Sequence, residues 1–159
     1  MTFRITPLPL SSFQSWLALD DAALAERGAR RMFAQTPNSA PCRVSLIDAE
    51  PGEGLILLNH AHVTAATSPF RATGPIFVRE NAVEAAPAVG VLPALLQIRL
   101  LSLRAYDRDW MMTDAEVVEG AAAATWLDER LADPLIQTIH IHAARRGCYL
   151  AAASRPASD

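Results

Sequence analysis

The sequence predicts a single α+β domain, with a mostly antiparallel sheet and about three helices packed on it. Short segments in which apolar and polar residues alternate, bounded by proline, glycine or aspartate, recur along the chain and are typical of strands. Stretches with helical periodicity are few and short. The chain of 159 residues, 51% of them hydrophobic, can bury one core, and it shows no internal repeat. We expect one domain over residues 1–153, followed by a polar tail at 154–159.

Two short helices are predicted near the N-terminus. Ser12 is a candidate N-cap for the first helix, because its hydroxyl can accept a hydrogen bond from the first turn. Asp20-Asp21 would start a second helix, whose inward face would extend as far as Met32. The polar stretch at 35–41 follows as a loop.

A hairpin is predicted after this loop. Residues 43–48 and 55–60 would form its two strands, and the glutamate, proline and glycine residues at 50–54 would form its turn. A further loop at 67–73 leads to a strand at 76–79.

A short helix and two strands are predicted in the middle of the chain. Pro93 suits the first position of a helix, where its missing N–H is not needed. Apolar residues at 100–106 indicate a strand, and Asp107-Arg108-Asp109 indicates a turn. A further strand is predicted at 114–118.

The last third of the chain predicts one helix and a second hairpin. The helix follows Gly120 and ends before Pro134, which cannot continue it. One stripe of this helix would be buried, formed by Ala123, Trp126, Leu127 and Leu131. Strands at 135–143 and 148–153 would pair across Arg145-Arg146-Gly147.

Composition excludes several classes of protein. All 14 basic residues are arginine, so Schiff-base chemistry, pyridoxal-phosphate attachment and the phosphate-binding lysine of a P-loop have no lysine to use. The net charge of −3 argues against non-specific nucleic-acid binding, which depends on basic residues that neutralise phosphates. We therefore expect no nucleic-acid partner.

The expected location is the cytoplasm, with no membrane partner. Pro7 and Pro9 interrupt the N-terminal apolar residues, which is not typical of a signal peptide. The longest apolar region, 85–103, contains prolines and charged or polar residues and is not expected to span a membrane. Cys42 and Cys148 are too few for a disulfide framework, so both are expected to be reduced thiols.

All four histidines lie in two His-x-His pairs, His60-Ala61-His62 and His140-Ile141-His142. Residues two apart in a strand point to the same face, so each pair would place two imidazoles side by side. Such pairs can bind a metal or an anion, or they can be ordinary sheet residues. No carboxylate follows either pair at a familiar ligand spacing, so we expect no bound metal and no other cofactor.

The C-terminal hairpin has the highest density of reactive side chains. If Arg145-Arg146-Gly147 is a three-residue loop with a left-handed glycine, His142 pairs with Leu150 and Cys148 shares its face. The thiol would then be a candidate nucleophile beside an imidazole. A two- or four-residue loop would instead pair Cys148 with Ala143 and send the thiol to the opposite face. A thiol that only packs is the further alternative.

These considerations define a set of candidate site residues. The catalytic candidates are Cys148, His142 and His140. The candidates for binding a ligand are Arg145, Arg146, Arg104 and His62, because guanidinium groups bind carboxylate or phosphate bidentately and imidazole can assist. A rim salt bridge is the alternative role for Arg104.

Several segments resemble one known family. They are Cys42–Ala49, Gly74–Glu80, Leu103–Asp107, Asp114–Gly120 and His140–Tyr149. In this order they resemble a family of small bacterial proteins catalogued as domain of unknown function 1203, over nearly the whole chain. The resemblance implies no activity. Ala143 stands where the family pattern leads us to expect an asparagine, so any polar role of that position is weakened in this chain.

Two classes of function remain. The first is a small-molecule binding protein or small enzyme for an anionic ligand, with a His/Arg/Cys site on the C-terminal hairpin. The second is an interaction protein that acts as a homodimer without a catalytic site, and a His-x-His metal-dependent enzyme is less favoured than either. A ligand site predicts convergent polar groups in one concave pocket, whereas an interface predicts an exposed apolar patch.

Overall fold

Two antiparallel sheets contain the eight strands of residues 2–157, the part of the chain that the computed structural model describes. The strands are β1 (Arg4–Thr6), β2 (Arg30–Phe33), β3 (Gly54–Val63), β4 (Ala72–Arg79), β5 (Leu100–Tyr106), β6 (Met112–Glu119), β7 (Thr138–Ala143) and β8 (Tyr149–Ser154). The larger sheet has the order β1-β8-β7-β5-β6, and the smaller has the order β2-β3-β4.

Short helices connect these strands. They are α1 (Gln14–Leu17), α2 (Asp21–Glu26), α3 (Ala94–Gln97) and α4 (Ala123–Leu131), with 3-10 turns at Leu10–Ser12 and Gly120–Ala122. The α+β fold class is confirmed, but the described residues form two sheets and four α-helices where one sheet and about three helices were expected. No helix in this range is long and apolar enough to cross a membrane.

The larger sheet has one apolar face and one face that carries polar side chains. Helix α4 buries the predicted stripe against Leu101 and Leu103 of β5 and Ile139 and Ile141 of β7. Strand residues alternate between the two faces of a sheet, so the neighbours of these apolar residues point away from the helix. The opposite face therefore receives Arg104, His140 and His142.

The smaller sheet supplies the second pair of histidines. Ile56 and Leu58 of β3 are buried in a core of their own, which also includes residues of β4 and α2. His60 and His62 continue the same face of β3 toward the end of the strand. This face changes from aliphatic to imidazole side chains along one strand.

The second predicted helix ends earlier than expected. Asp20 caps α2 by accepting a hydrogen bond from the backbone N–H of Ala23 at 2.8 Å. Gly28, with φ 71°, then terminates the helix, and the N–H of Ala29 donates to the carbonyl of Leu24 at 2.9 Å. The extension to Met32 was wrong, because this left-handed glycine redirects the chain into β2, where Met32 pairs with β3.

The strand expected at 43–48 is also absent, and the segment forms a tight loop. The N–H of Leu46 donates to the carbonyl of Cys42 at 3.0 Å, and Leu46 has φ 50°. Val44 is buried in the core of the smaller sheet, whereas Leu46 is buried in the core of the larger one. The apolar pattern therefore reflects a loop that joins two cores. Of the expected polar tail, residues 158–159 lie outside the described residues.

We expect Gly120→Ala to lower the free energy of unfolding by about 2 kcal/mol or more, because its added methyl group would collide with backbone atoms. A Cβ at this position would lie 2.7 Å from the carbonyl oxygens of Gln97 and Arg99, and closer to that of Leu96. Gly74→Ala is the matched control, since its Cβ would meet no atom within 4 Å. Urea unfolding of both variants measures the difference, and equal transition midpoints would contradict this account.

Candidate functional site

The two His-x-His pairs converge where the two sheets meet. The ring centroid of His62, from the smaller sheet, lies 5.0 Å from that of His142 and 5.9 Å from that of His140. His140 and His142 are 4% and 0% exposed, whereas His62 is half-buried. We call His62, His140 and His142 the histidine cluster. His60 lies at its edge, with its ring centroid 6.3 Å from that of Tyr149.

Aromatic side chains enclose the histidine cluster. The ring of Tyr149 stacks on His62 with a centroid distance of 5.5 Å and an interplanar angle of 17°, and it lies 5.0 Å from His140. Tyr106 and Trp110 approach His140 from other directions, at 5.1 and 5.4 Å. The histidine cluster is therefore surrounded mainly by aromatic rings.

Trp110 is held against the cluster by a strained turn. Its φ of 59° lies in the left-handed region, which is uncommon for a large side chain. The carbonyl oxygen of Trp110 accepts a hydrogen bond from the Ser68 hydroxyl at 2.7 Å, and Asp107 accepts bonds from the N–H groups of Asp109 and Met111. These bonds stabilise the conformation that places the indole beside His140.

The imidazoles of the cluster have few hydrogen-bond partners. Nδ1–H of His142 donates to the carbonyl oxygen of Gly147 at 2.9 Å, which leaves the lone pair on Nε2. Nε2 of His142, Nδ1 of His140 and both ring nitrogens of His62 are buried without a hydrogen-bond partner in the described range. Because a neutral imidazole carries one N–H and one lone pair, the cluster contains unpaired donors as well as acceptors within the described residues.

Burial keeps these imidazoles neutral. Desolvation lowers the pKa of His140 to about 3, and the neighbouring imidazoles and Arg104 lower it further in the same direction. Desolvation lowers the pKa of His142 to about 4, although its bond to Gly147 opposes the change. The pKa of His62 is lowered as well, mainly by burial and then by His60 and Arg104. All three are uncharged at neutral pH.

Neutral imidazoles are good metal ligands, but their surroundings do not complete a metal site. Arg104 pairs with His140 across β5 and β7, and its positive charge opposes a second cation. Within residues 2–157, no group of three or more histidine, cysteine, aspartate or glutamate side chains is placed to hold a metal ion. The expected lack of bound metal stays a prediction that elemental analysis can check.

The expected pairing of Cys148 with the imidazoles was wrong. His142 pairs with Tyr149, and the N–H of Ala143 donates to the carbonyl of Cys148 at 2.9 Å. The loop therefore has four residues, 144–147, which is the alternative that sends the thiol to the opposite face. The left-handed conformation of Gly147 is confirmed, with φ 77°.

The register of this hairpin has two local causes. The N–H of Gly147 donates to the carbonyl of Ala143 at 2.7 Å, which closes the longer loop. Beyond it, the register shifts between Ile141 and His142, so that Leu150 is an extra residue on β8. No sequence pattern signals this bulge, and it decides which side chains share a face.

The thiol of Cys148 instead lines a second site, a pocket of about 450 Å³. Its charged lining consists of Arg43, Arg99, Arg145 and Arg146, and Cys148 also lines it. We call it the arginine pocket. Leu57, Pro75 and Phe77 give it an apolar wall. Of the candidate residues, Cys148, Arg145 and Arg146 thus meet here, whereas His62, His140 and His142 form the histidine cluster and Arg104 lies beside it.

Arg43 is the most unusual residue of the pocket, since it is only 3% exposed. Its Nε donates to the carbonyl oxygen of Tyr149 at 2.7 Å, and its Nη1 donates to that of Pro41. Among residues 2–157, its Nη2 donates no hydrogen bond and no carboxylate forms an ion pair with it. Asp48 pairs with Arg99 at 2.5 Å and favours the charged form of Arg43 only by its nearby charge. Burial lowers the pKa of Arg43 to about 10, so it remains charged at neutral pH.

Sequence patterns did not identify Arg43 or Arg99 as site residues. Arg43 was placed at the start of a strand that does not form, and Arg99 was one polar residue in an apolar region. Their proximity depends on the loop at 41–48, which lies against β8 and α3. The resemblance that includes Cys42–Ala49 covers Arg43, whereas Arg99 lies outside the segments that carry it.

Comparison with known proteins places this chain in a family. Residues 39–155 match the model of the family described as Protein of unknown function (DUF1203). The chain belongs to this family. The match covers about three quarters of the sequence and includes every residue of the histidine cluster and of the arginine pocket named above. No curated protein and no solved structure matches the chain.

We expect the stability of this family member to fall in mild acid. Burial keeps these histidines neutral in the folded protein, whereas in the unfolded chain they have a pKa of about 6.5 and bind a proton below that pH. The stability that is present above pH 6.5 is therefore lost as the pH falls toward 4. The expected slope is about 1.4 kcal/mol per pH unit for each such histidine. Urea unfolding at pH 7 and pH 5 measures it.

Two variants separate the contributions to this slope. His140→Phe keeps the ring packing and removes a buried nitrogen without a partner, so we expect a smaller slope and no loss of stability at pH 7. His142→Phe should also reduce the slope, but it loses the bond to Gly147 and about 1 kcal/mol at pH 7. An unchanged slope in His140→Phe would show that its burial does not cause the acid sensitivity.

Proposed function

We propose that this protein binds a small anionic ligand in the arginine pocket. The observation that carries the proposal is Arg43, a charged and almost fully buried guanidinium without a carboxylate partner in the described chain, on the lining of a pocket. A buried charge is costly unless an opposite charge compensates it. An anion in the pocket would supply that charge.

The local charge supports an anion over a cation or a neutral ligand. Four arginines line the pocket, and Asp48 pairs with one of them, although the whole chain has a net charge of −3. Positive charge concentrated in a concave site raises the local concentration of anions. The planar guanidinium groups also match carboxylate and phosphate oxygens in pairs.

The shape of the pocket supports a ligand with an apolar body. Its volume of about 450 Å³ falls within the range of roughly 300–1,000 Å³ that is typical of small-molecule sites. Leu57, Pro75 and Phe77 form a wall to which an apolar or planar group could pack. We therefore expect a ligand with an acidic group near the arginines and a hydrocarbon or aromatic part beside Phe77.

Ligand binding is favoured over catalysis by a cysteine–histidine pair. Such an enzyme needs an imidazole within hydrogen-bond reach of the thiol. The register of the hairpin places Cys148 on the face opposite to His142, and His142 uses Nδ1 to bind Gly147. An anion site with Arg145 and Arg146 at its rim is therefore the function that the geometry supports.

Phenyl phosphate is a suitable probe, because it combines a phosphate with an aromatic ring. We expect it to bind more tightly than inorganic phosphate, as measured by calorimetry. Replacing the two exposed rim arginines in Arg145→Gln/Arg146→Gln should weaken its binding about tenfold, or about 1.4 kcal/mol. The protein should remain folded, since both side chains are exposed.

The matched control is Arg71→Gln/Arg108→Gln, which removes the same charge from exposed positions outside the arginine pocket. We expect this control to bind phenyl phosphate almost as well as the unmodified protein. The proposal fails if the unmodified protein does not bind the probe at millimolar concentration, or if both double variants lose the same affinity.

A cytoplasmic homodimer remains the second part of the proposal. Phe33, at the end of the edge strand β2, is 57% exposed, and Met32 beside it is 39% exposed. An edge strand with apolar side chains can pair with a second copy.

Light scattering should give a mass twice that of the chain, and Phe33→Glu should reduce it to that of one chain. A single-chain mass over a wide concentration range would contradict the dimer.

A further inference from the structure

The two cysteines differ in their accessibility to reagents. Cys42 is 0% exposed, and its sulfur accepts hydrogen bonds from the backbone N–H groups of Ser45 and Arg79, both at 3.4 Å. Cys148 is partly exposed and lines the arginine pocket. Its thiol makes only a long contact of 3.8 Å to the carbonyl oxygen of Arg146 in the described chain. A reagent in the pocket would therefore meet Cys148 and not Cys42.

The surroundings of Cys148 select reagents by charge. Arg145 and Arg146 precede it in the same loop, and Arg43 is close enough for the charge of a Cys148 thiolate to act on it. Arg43 is buried, has no carboxylate partner among residues 2–157 and lines the same pocket, so it independently indicates an anionic occupant. Positive charge around a thiol speeds its reaction with anionic reagents and slows its reaction with cationic ones.

We infer that Cys148 is a thiol-exchange site for anionic disulfides of low molecular weight, an inference that rests on the anion site proposed above. The thiolate of Cys148 attacks one sulfur of the disulfide, so that a new S–S bond joins the ligand to the protein. The S–S bond of the reagent breaks, and the departing thiolate takes the electron pair and then a proton from water. The disulfide is reduced by this exchange, and Cys148 is oxidised.

Thiol exchange at Cys148 would switch the arginine pocket between an empty and an occupied state. A ligand held covalently at Cys148 would occupy the pocket and would place its acidic groups beside the arginines. A reducing thiol would reverse the exchange and empty the site. The pocket would thereby respond to the thiol–disulfide balance of its surroundings.

The test compares three disulfides that differ in charge. Glutathione disulfide is anionic, hydroxyethyl disulfide is neutral and cystamine is cationic at pH 7.5. The protein is incubated with each, and the adduct is followed by mass spectrometry with peptide mapping. We expect the adduct on Cys148 and not on Cys42, with glutathione disulfide reacting on the order of tenfold faster than cystamine at low salt.

Variants show whether the arginines cause the preference. Arg145→Gln/Arg146→Gln should reduce the ratio of the two rates severalfold, whereas Arg71→Gln/Arg108→Gln should leave it unchanged. High salt should reduce the ratio in the unmodified protein, because it screens exposed charges. Cys148→Ser should form no adduct. Equal rates for the three disulfides, or faster reaction of cystamine, would overturn the inference.

A second measurement separates this inference from the proposed function. Cys148→Ser is titrated with phenyl phosphate, since the anion site does not require the thiol. If it binds the probe and the unmodified protein shows no charge preference in exchange, the thiol inference is overturned and the anion site stands. If the probe does not bind and the exchange rates are equal, both proposals are overturned.

Discussion

The contacts of Tyr149 hold the two candidate sites in place. Its carbonyl oxygen accepts a hydrogen bond from the buried guanidinium of Arg43 at 2.7 Å. Its ring stacks on His62 of the smaller sheet with a centroid distance of 5.5 Å. One residue thus connects the loop at 41–48, the C-terminal hairpin and strand β3. Tyr149 thereby contacts both the arginine pocket, through Arg43, and the histidine cluster, through His62.

The histidine cluster and the arginine pocket differ in the charge of their side chains. The histidine cluster is neutral, because burial lowers the pKa of each imidazole and no carboxylate in the described chain stabilises the charged form. The arginine pocket keeps its charge, because the guanidinium of Arg43 stays protonated even when its pKa is lowered to about 10. Four arginines thus concentrate positive charge on the pocket side of the hairpin, whereas the histidine cluster has Arg104 beside it.

The histidine cluster makes contacts that connect the hairpin loop and the two sheets. His142 holds the loop of the hairpin through Gly147, and His62 joins the two sheets by ring contacts. These ring contacts stabilise the folded protein. The buried nitrogens that have no hydrogen-bond partner in residues 2–157 reduce this stabilisation. A His-x-His spacing that is compatible with a metal site is thus also compatible with ring packing between two sheets.

Much of the fold could be predicted from the sequence, because local patterns determine it. Strand β5, the buried stripe of α4 and the cap at Asp20 follow from alternation, helical spacing and side-chain chemistry within a few residues. The expectation that the histidines of each His-x-His pair share one face also follows from alternation, and both pairs lie near the ring of Tyr149. The resemblance to the family was confirmed by the match over 39–155.

Only the tertiary structure decided the composition of the candidate site. A bulge at Leu150 shifts the register of β8, and a shift of one residue moves Cys148 to the face opposite His142. The burial of Arg43 depends on Pro41 and Tyr149, residues far apart in the chain that meet only after folding. Where the local pattern is strong, as in β5 and α4, the sequence by itself determined the element and its apolar face, because these depend on neighbours along the chain. Which polar side chains meet depends on loop closure and sheet register, which no local pattern specifies.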